Sequence, residues 1–342
     1  MQAHFFSNYQ AFEPFLAAQE ATKLVDLCKQ FGSYGLYSDE GLNEGIGEGL
    51  PQRFDAAFNF INTGGRFGRV KEDFSILAAR TNYFRETYAY GNEIAAPGIE
   101  AFYYNEKLIE SAQKVFGRPV IEPAIVYANI LLPGQELAIH TDVPEFRGMN
   151  RKLHPQWMLV VMHHSGLFNE WRLPIATSVS WYQDAKGGAF AFYPDGADQP
   201  AKTHPVQFNS AVLMDTDSVF HGVDRVQELE GPMPPFRPGM RLEAESGGRW
   251  TVSDGDEEIG RYHWDEMRFS ISWKAYCFED EGDRKRWRSH SEDLSIDRVL
   301  DTLCADLRER GRLADTRPPN KQLAELLVEE YIKFPAPQAA SH

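Results

Sequence analysis

Long hydrophobic runs, an excess of basic residues and paired cysteines are all missing from this 342-residue chain. No apolar run approaches the roughly 20 residues that a membrane-spanning helix needs, so we expect no membrane partner. Lysine and arginine number 35 against 50 aspartates and glutamates. The resulting net charge of −15 disfavours a nucleic-acid partner, because binding phosphates requires a basic face.

Cysteine is scarce as well. The three cysteines, Cys28, Cys277 and Cys304, are widely spaced and form no CxxC pair, which fits a reducing compartment rather than a disulfide framework. The first residues lack the basic start and apolar stretch of a signal peptide, so we expect a cytoplasmic protein. Hydrophobic residues nevertheless make up 42% of the chain, enough for a substantial globular core.

Helical patterns flank a central region of short apolar runs. Residues 12–31 and 99–116 show helical spacing before this region, and residues 296–310 and 321–333 show it afterwards. Between them, about eight strand-like runs are separated by turn residues, which is enough for a jelly-roll of two Greek keys. The predicted strands are 125–132, 137–140, 157–163, 176–182, 189–193, 211–214, 219–223 and 268–278.

We therefore predict an α+β chain that forms one integrated domain. Residues 1–122 would be a helical flank with a Gly-rich loop at 32–49, which is a candidate lid over a pocket. Residues 123–280 would be the jelly-roll core, interrupted by a polar insertion at 227–265 that has its own hairpin. Residues 281–342 would be the C-terminal helical flank.

Within the core, the triplet His140-Thr141-Asp142 ends a mostly apolar run. Residues i and i+2 of a strand point to the same side, so His140 and Asp142 can hold one ion together. The triplets that begin at His263 and His290 lack this context. His221 lies on a later strand-like run and offers a third ligand. Two imidazoles and one carboxylate are the ligand set of non-haem Fe(II) oxygenases.

A second motif, Arg268-Phe269-Ser270, opens the last predicted strand and offers a cation and a hydroxyl to an acidic cosubstrate. Residues 123–278 resemble the Fe(II)/2-oxoglutarate-dependent dioxygenases, and in particular the prolyl-hydroxylase-like branch. The resemblance rests on this motif together with His140-Thr141-Asp142, His221 and Tyr127-Ala128-Asn129. The resemblance implies a double-stranded β-helix, the cupin-like form of the jelly-roll, with iron at its open end.

The resemblance also implies a role for each matching residue. His140, Asp142 and His221 would bind Fe(II), and Arg268 and Ser270 would bind the distal carboxylate of 2-oxoglutarate. Tyr127 and Asn129 lie where the family often places hydrogen-bonding groups for the cosubstrate. Arg268 follows His221 by 47 residues, more than in simpler members, so Arg225 is a rival for the carboxylate. The long insertion at 227–265 accounts for this spacing if it is a loop.

The implied reaction is oxidation of an unactivated C–H bond by O₂ with decarboxylation of 2-oxoglutarate to succinate and CO₂. The carboxylate of Asp142 favours hydroxylation over halogenation, and desaturation or cyclisation stays open. We expect a small-molecule substrate, such as an amino acid derivative or a natural-product intermediate. Two alternatives remain: a cupin-type metal enzyme that does not use 2-oxoglutarate, and a non-catalytic jelly-roll that binds a sugar or an acidic ligand.

Other polar residues near these motifs have simpler interpretations. His163 and His164 would point to opposite sides of a strand, so they cannot both face the iron, and we interpret them as packing residues. Arg147 and Arg151 follow Asp142 closely and are expected at the pocket mouth. There they would either bind a carboxylate or phosphate of the substrate or be solvated.

Overall fold

The computed structural model describes residues 8–37, 45–68, 74–229 and 231–337, which form three antiparallel sheets and nine α-helices. The strands are β1 (Gln10–Phe12), β2 (Ser33–Leu36), β3 (Phe84–Tyr90), β4 (Glu93–Ile94), β5 (Val120–Leu131), β6 (Leu137–His140), β7 (Glu145–Phe146), β8 (Arg172–Leu173), β9 (Ile175–Trp181), β10 (Phe190–Phe192), β11 (Lys202–His204), β12 (Ser210–Met214), β13 (His221–Val223), β14 (Arg241–Ala244), β15 (Arg249–Asp254), β16 (Glu257–His263) and β17 (Arg268–Phe278). The helices are α1 (Ala18–Phe31), α2 (Phe54–Thr63), α3 (Phe74–Arg80), α4 (Glu100–Tyr103), α5 (Glu106–Phe116), α6 (Gln156–Ser165), α7 (Glu281–Arg288), α8 (Ile296–Glu309) and α9 (Asn320–Tyr331).

Two sheets divide the strands of the central region between them. The large sheet has the order β1-β12-β9-β17-β5-β3-β2-β14-β15-β16, with β4 beside β3. The second sheet has the order β11-β10-β13-β6, and β7 and β8 form a separate pair. The chain is thus a mixed α and β protein, as predicted, and it is built on a large antiparallel sheet.

The longest strand pair of the large sheet, β5 with β17, separates a buried apolar layer from a polar face. Along β17, Phe269, Ile271 and Trp273 are fully buried in the largest hydrophobic core, which the N-terminal helices cover. The residues that alternate with them, among them Arg268 and Ser270, point to the other face because strand side chains alternate. Apolar burial on one side therefore orients a row of polar side chains on the other.

The prediction of a strand at 157–163 is wrong, because this segment forms the helix α6. Every residue of the segment is buried, so its sequence has no polar face and shows neither the helical nor the alternating period. Gly166, at φ +72°, ends the helix in the left-handed conformation that favours glycine.

The helices predicted in the two flanks are present with shifted boundaries, but the N-terminal flank also contributes β1–β4 to the large sheet. The first helix starts at Ala18 rather than at residue 12, because Gln10–Phe12 pairs with β12 as an edge strand. The segment 99–116 divides into α4 and α5 because the Asn105 side chain accepts a hydrogen bond from the Leu108 amide and caps a new helix. The two C-terminal helices lie where they were predicted.

The insertion at 227–265 is not a loop. It contains the predicted hairpin, β15 with β16, and a further strand, β14, which pairs with β2 and joins the hairpin to the large sheet. The Gly-rich segment 32–49 contains β2, and its part at 38–44, where a lid would lie, is outside the described residues. None of the helices in the described ranges is both long and apolar enough to cross a membrane.

Candidate metal centre and adjoining pockets

The second sheet brings the two candidate histidine ligands side by side. His140 ends β6, His221 begins β13, and the two residues are direct partners in the strand register. Asp142 follows two residues after His140, and its Oδ1 lies 3.7 Å from Nε2 of each imidazole. One ligand atom from each of the three residues lies within 4.8 Å of the others, and the described ranges contain no other such cluster of three.

Backbone carbonyls fix the orientation of both imidazoles. Nδ1 of His140 lies 2.7 Å from the carbonyl oxygen of Ala138, and Nδ1 of His221 lies 2.8 Å from that of Val219. With a proton on Nδ1, each ring turns the lone pair of Nε2 toward Asp142. Burial, together with the neighbouring His140, lowers the pKa of His221 to about 3. His221 is therefore neutral at physiological pH, as a metal ligand must be.

Lys274 on β17 fixes the carboxylate of Asp142. Its Nζ donates a hydrogen bond of 2.6 Å to Oδ2, which leaves Oδ1 facing the histidines. Burial alone would raise the pKa of Asp142, but the charge of Lys274 holds it well below its ordinary value. The carboxylate is therefore ionised and presents one oxygen. The sequence reasoning missed Lys274, although it continues the alternation of Arg268, Ser270 and Ser272 along β17.

A small pocket beside this centre contains the four residues that were expected to bind the cosubstrate. Arg268, Ser270, Tyr127 and Asn129 line it together with the three candidate ligands. They meet because β5 and β17 pair in a register that sets Ser270 opposite Asn129. The side-chain oxygen Oδ1 of Asn129 is buried and has no hydrogen-bond partner in the described structure.

Arg268 is a buried cation that forms no ion pair with the described residues. Its Nε donates to the carbonyl oxygen of Gly188 at 2.8 Å and its Nη1 donates to Oγ of Ser270 at 3.2 Å. Its Nη2 has no hydrogen-bond partner among the described residues. Burial lowers the pKa of Arg268 to about 9. Gly188 permits this contact, because a Cβ at that position would lie 2.7 Å from Cδ of Arg268.

The rival arginine occupies a different environment. Arg225 forms ion pairs of 3.0 Å with Glu136 and with Glu228, and it does not line the small pocket. Its charge is therefore already compensated by two carboxylates. A structured insertion at 227–265 was expected to favour Arg225. The ion pairs of Arg225 nevertheless favour Arg268 as the anion-binding residue.

A larger cavity of about 390 Å³ opens onto the same centre. His140, Asp142, Tyr127, Tyr83 and Leu137 line both this cavity and the small pocket. Much of the remaining wall is apolar, including Ala57, Phe60, Ile61, Leu77 and Ala78. Four cationic side chains interrupt it: Arg53, Arg85, Arg151 and Lys274. The sequence analysis named only Arg151 among these, and it gave no reason to single out Arg85.

The remaining polar candidates lie outside the ligand cluster. His163 is fully buried on α6 and its Nε2 lies 2.9 Å from Oγ of Ser218. The Nε2 of His164 lies 3.4 Å from Oγ1 of Thr141. Arg147 is buried near Asp283 and does not line the larger cavity, whereas Arg151 does. Of the two arginines expected at the pocket mouth, only Arg151 is placed to meet a substrate.

No protein-family model and no curated protein matches the sequence. Among solved structures, the chain is similar to an oxidoreductase of the 2OG-Fe(II) oxygenase family from Burkholderia pseudomallei, with 9% identity, a TM-score of 0.41 and coverage of 78% of this chain and 84% of that one. HygX from Streptomyces hygroscopicus, crystallised with nickel, 2-oxoglutarate and hygromycin B, matches with 8% identity, a TM-score of 0.39 and coverage of 80% and 84%. The carbocyclase SnoK from nogalamycin biosynthesis matches with 10% identity, a TM-score of 0.41 and coverage of 80% of each chain.

These structures belong to the family that the sequence motifs resemble. Because their TM-scores lie below 0.5, we base the function on the residues of this chain.

Proposed function

We propose that this protein is a non-haem Fe(II)/2-oxoglutarate-dependent oxygenase that oxidises an unactivated C–H bond of a small molecule. The observation that carries the proposal is a candidate metal site with a candidate anion site directly beside it. His140, Asp142 and His221 converge on one point. The buried Arg268, which has no carboxylate partner among the described residues, lines the pocket beside them.

The donor set fits Fe(II). Two neutral imidazole nitrogens and one carboxylate oxygen on one side of an ion form the two-histidine, one-carboxylate arrangement of such oxygenases, which leaves other coordination positions open. Lys274 supports this arrangement, because it holds Oδ2 of Asp142 and leaves a single oxygen as ligand. The carbonyl oxygens of Ala138 and Val219 hold the two rings in the required tautomer.

The small pocket fits 2-oxoglutarate. Its distal carboxylate would accept hydrogen bonds from Nη2 of Arg268 and from Oγ of Ser270, and these contacts would neutralise the buried guanidinium. Tyr127 and the amide of Asn129 offer further polar contacts in the same pocket. When bound, Fe(II) and 2-oxoglutarate supply the oxidation by O₂ of a C–H bond, with succinate and CO₂ as coproducts.

We further propose that the core, residues 123–280, is a double-stranded β-helix within one integrated domain. In support, the large sheet contains the order β12-β9-β17-β5 and the second sheet the order β11-β10-β13-β6. The chain passes repeatedly between the two sheets in these eight strands, as two interleaved Greek keys require. The candidate ligands lie at the ends of β6 and β13, where the larger cavity opens.

A small-molecule substrate fits the larger cavity. Its volume of about 390 Å³ lies within the range of roughly 300–1,000 Å³ that is typical of ligand pockets. The lining combines apolar side chains with a few charged ones, and it reaches His140 and Asp142 directly. Hydroxylation is the outcome that we propose, with desaturation or cyclisation as the products of a different substrate placement.

An anaerobic titration of the Fe(II)-loaded protein with 2-oxoglutarate tests this function. A visible charge-transfer band that saturates with 2-oxoglutarate and is absent in His221→Ala is the expected result. Iron binding without such a band would instead support the cupin-type metal enzyme. If no iron binds at all, the protein is a non-catalytic binding module and the oxygenase proposal is wrong.

A further inference from the structure

We propose that the larger cavity binds a substrate with a carboxylate group and an apolar body, and that Arg85 is the residue that holds the carboxylate. This inference names the substrate class of the oxygenase proposed above and rests on that function for the oxidation step. The binding itself depends only on the cavity and can be measured without metal.

Arg85 is placed as an anion anchor. It lies on β3 in register with Asn129 of β5, one strand farther from β17, and it lines the larger cavity. Its guanidinium lies 3.6 Å from the ring centroid of Tyr127 and 4.8 Å from that of Tyr37. Stacking on an aromatic face leaves the N–H edge of a guanidinium available for hydrogen bonds.

No carboxylate of the described residues compensates Arg85. Its side chain forms no ion pair and donates no hydrogen bond within the described ranges. Arg53, by comparison, is paired with Asp55 at 2.9 Å, and Lys274 is paired with Asp142. Arg85 is therefore a cation of this cavity for which the described residues provide no carboxylate.

The charge of the cavity differs from that of the protein. The chain carries a net charge of −15, yet the cavity wall has four cationic side chains and one carboxylate, that of Asp142, among the described residues. Arg85 and Arg151 carry like charges in the same wall. An anionic group bound between these side chains would relieve their mutual repulsion.

The chemistry favours a carboxylate over a phosphate. A carboxylate carries a single negative charge and accepts two parallel hydrogen bonds from one guanidinium, so it balances the charge of Arg85, whereas a phosphate carries up to two negative charges. Apolar residues, among them Phe60, Ile61 and Leu77, form the rest of the wall and suit a hydrocarbon or aromatic body. The shared lining residues His140 and Asp142 place such a ligand beside the candidate metal centre.

Calorimetric titration of the full-length protein with matched probes tests the inference. The probes are monocarboxylic acids of increasing chain length, with and without a terminal phenyl ring, each paired with its primary amide, and inorganic phosphate. We expect acids to bind saturably, their amides to bind roughly 10- to 100-fold more weakly, and phosphate not to compete. Arg85→Met, which keeps most of the apolar stem but removes the charged guanidinium, should abolish this preference, and Arg85→Lys should retain part of it.

Two further variants separate this site from its neighbours. Arg241→Met makes the same change at an exposed arginine of the large sheet that pairs with Glu86, and it should leave acid binding unchanged. Arg268→Ala should also leave it unchanged if the acids occupy the larger cavity. Thermal unfolding of each variant shows whether it is folded, and Arg85→Lys provides the comparison if Arg85→Met is not.

The outcomes distinguish this inference from the proposed function. Loss of acid binding in Arg85→Met without a charge-transfer band in the wild type would support the anion site and contradict the oxygenase. In another outcome, the charge-transfer band of the wild type is normal while acids and amides bind equally, or while acids do not bind at all. Either result would overturn the carboxylate inference and leave the oxygenase proposal standing. Competition by phosphate, or acid binding that depends on Arg268 instead of Arg85, would overturn it as well.

Discussion

Replacing Arg268 with alanine is expected to weaken binding of 2-oxoglutarate by roughly 100- to 4,000-fold. The side chain is 2% exposed, and Nη2 has no partner among the described residues. A bound carboxylate would therefore form a buried, charge-assisted pair with it. Removing one partner of a buried pair costs about 3–5 kcal/mol, and each 1.4 kcal/mol corresponds to about a factor of ten in affinity. Arg268→Lys keeps the charge but loses the bidentate geometry and the bond to Gly188, so an intermediate affinity is expected.

The assay is the anaerobic charge-transfer titration, with the affinity for Fe(II) measured separately. Iron binding should stay largely intact, because Arg268 touches none of the three candidate ligands. Arg225→Ala is the matched control. It removes the rival arginine, which pairs with Glu136. In this variant the carboxylate of Glu136 still has a neighbouring cation, because it lies 3.8 Å from Arg80. An unchanged affinity in Arg268→Ala, or a loss that appears only in Arg225→Ala, would refute the reasoning.

Three other perturbations test the metal centre and its surroundings. His140→Ala, Asp142→Ala and His221→Ala should each abolish Fe(II) binding in a metal titration, and full retention by any one of them would remove it from the ligand set. Lys274→Met frees Oδ2 of Asp142 and should weaken iron binding roughly 10- to 100-fold; wild-type affinity would show that the lysine does not position the ligand. Asp217 is fully buried without a hydrogen-bond partner in the described structure, and burial, with the charge of Asp215, raises its pKa to about 7. Between about pH 4 and pH 7 the folded protein thus keeps a proton that the unfolded chain releases, so this group makes stability fall as the pH rises through that window. Asp217→Asn should flatten the pH dependence of thermal unfolding of the metal-free protein, and an identical slope in both proteins would contradict the assigned pKa.

Features that depend on local periodicity could be predicted from the sequence. The alternation of polar and apolar residues from Arg268 onward gave the correct bounds of β17, because one face of this strand is buried and the other lines the pockets. The same alternation placed His140 and Asp142 on one side of the chain. The amphipathic helix at the C-terminal flank was also predictable, because its apolar residues repeat with the helical period.

Features without a local signature could not be predicted. The helix α6 is buried on all sides, so its sequence does not distinguish a helix from a strand. The break between α4 and α5 depends on a single capping residue, Asn105. The insertion at 227–265 contains the expected hairpin, but β14 was not expected, and it pairs with β2 over a separation in sequence of about 200 residues. Such pairing depends on the surrounding sheet and leaves no periodic pattern in the strand itself.

The candidate site likewise combines features that could be predicted from the sequence with features that could not. The sequence by itself determined which residue types were available: a histidine and an aspartate at the end of one strand, a second histidine on another, and an arginine with a serine on the last. Only the tertiary structure decided that His221 lies in register with His140, that Lys274 reaches Asp142, and that Arg268 and Arg85 have no carboxylate within the described residues. The physical reason is that alternation along a strand is set by neighbouring residues, whereas the partner of a buried charge is set by the strands packed against it.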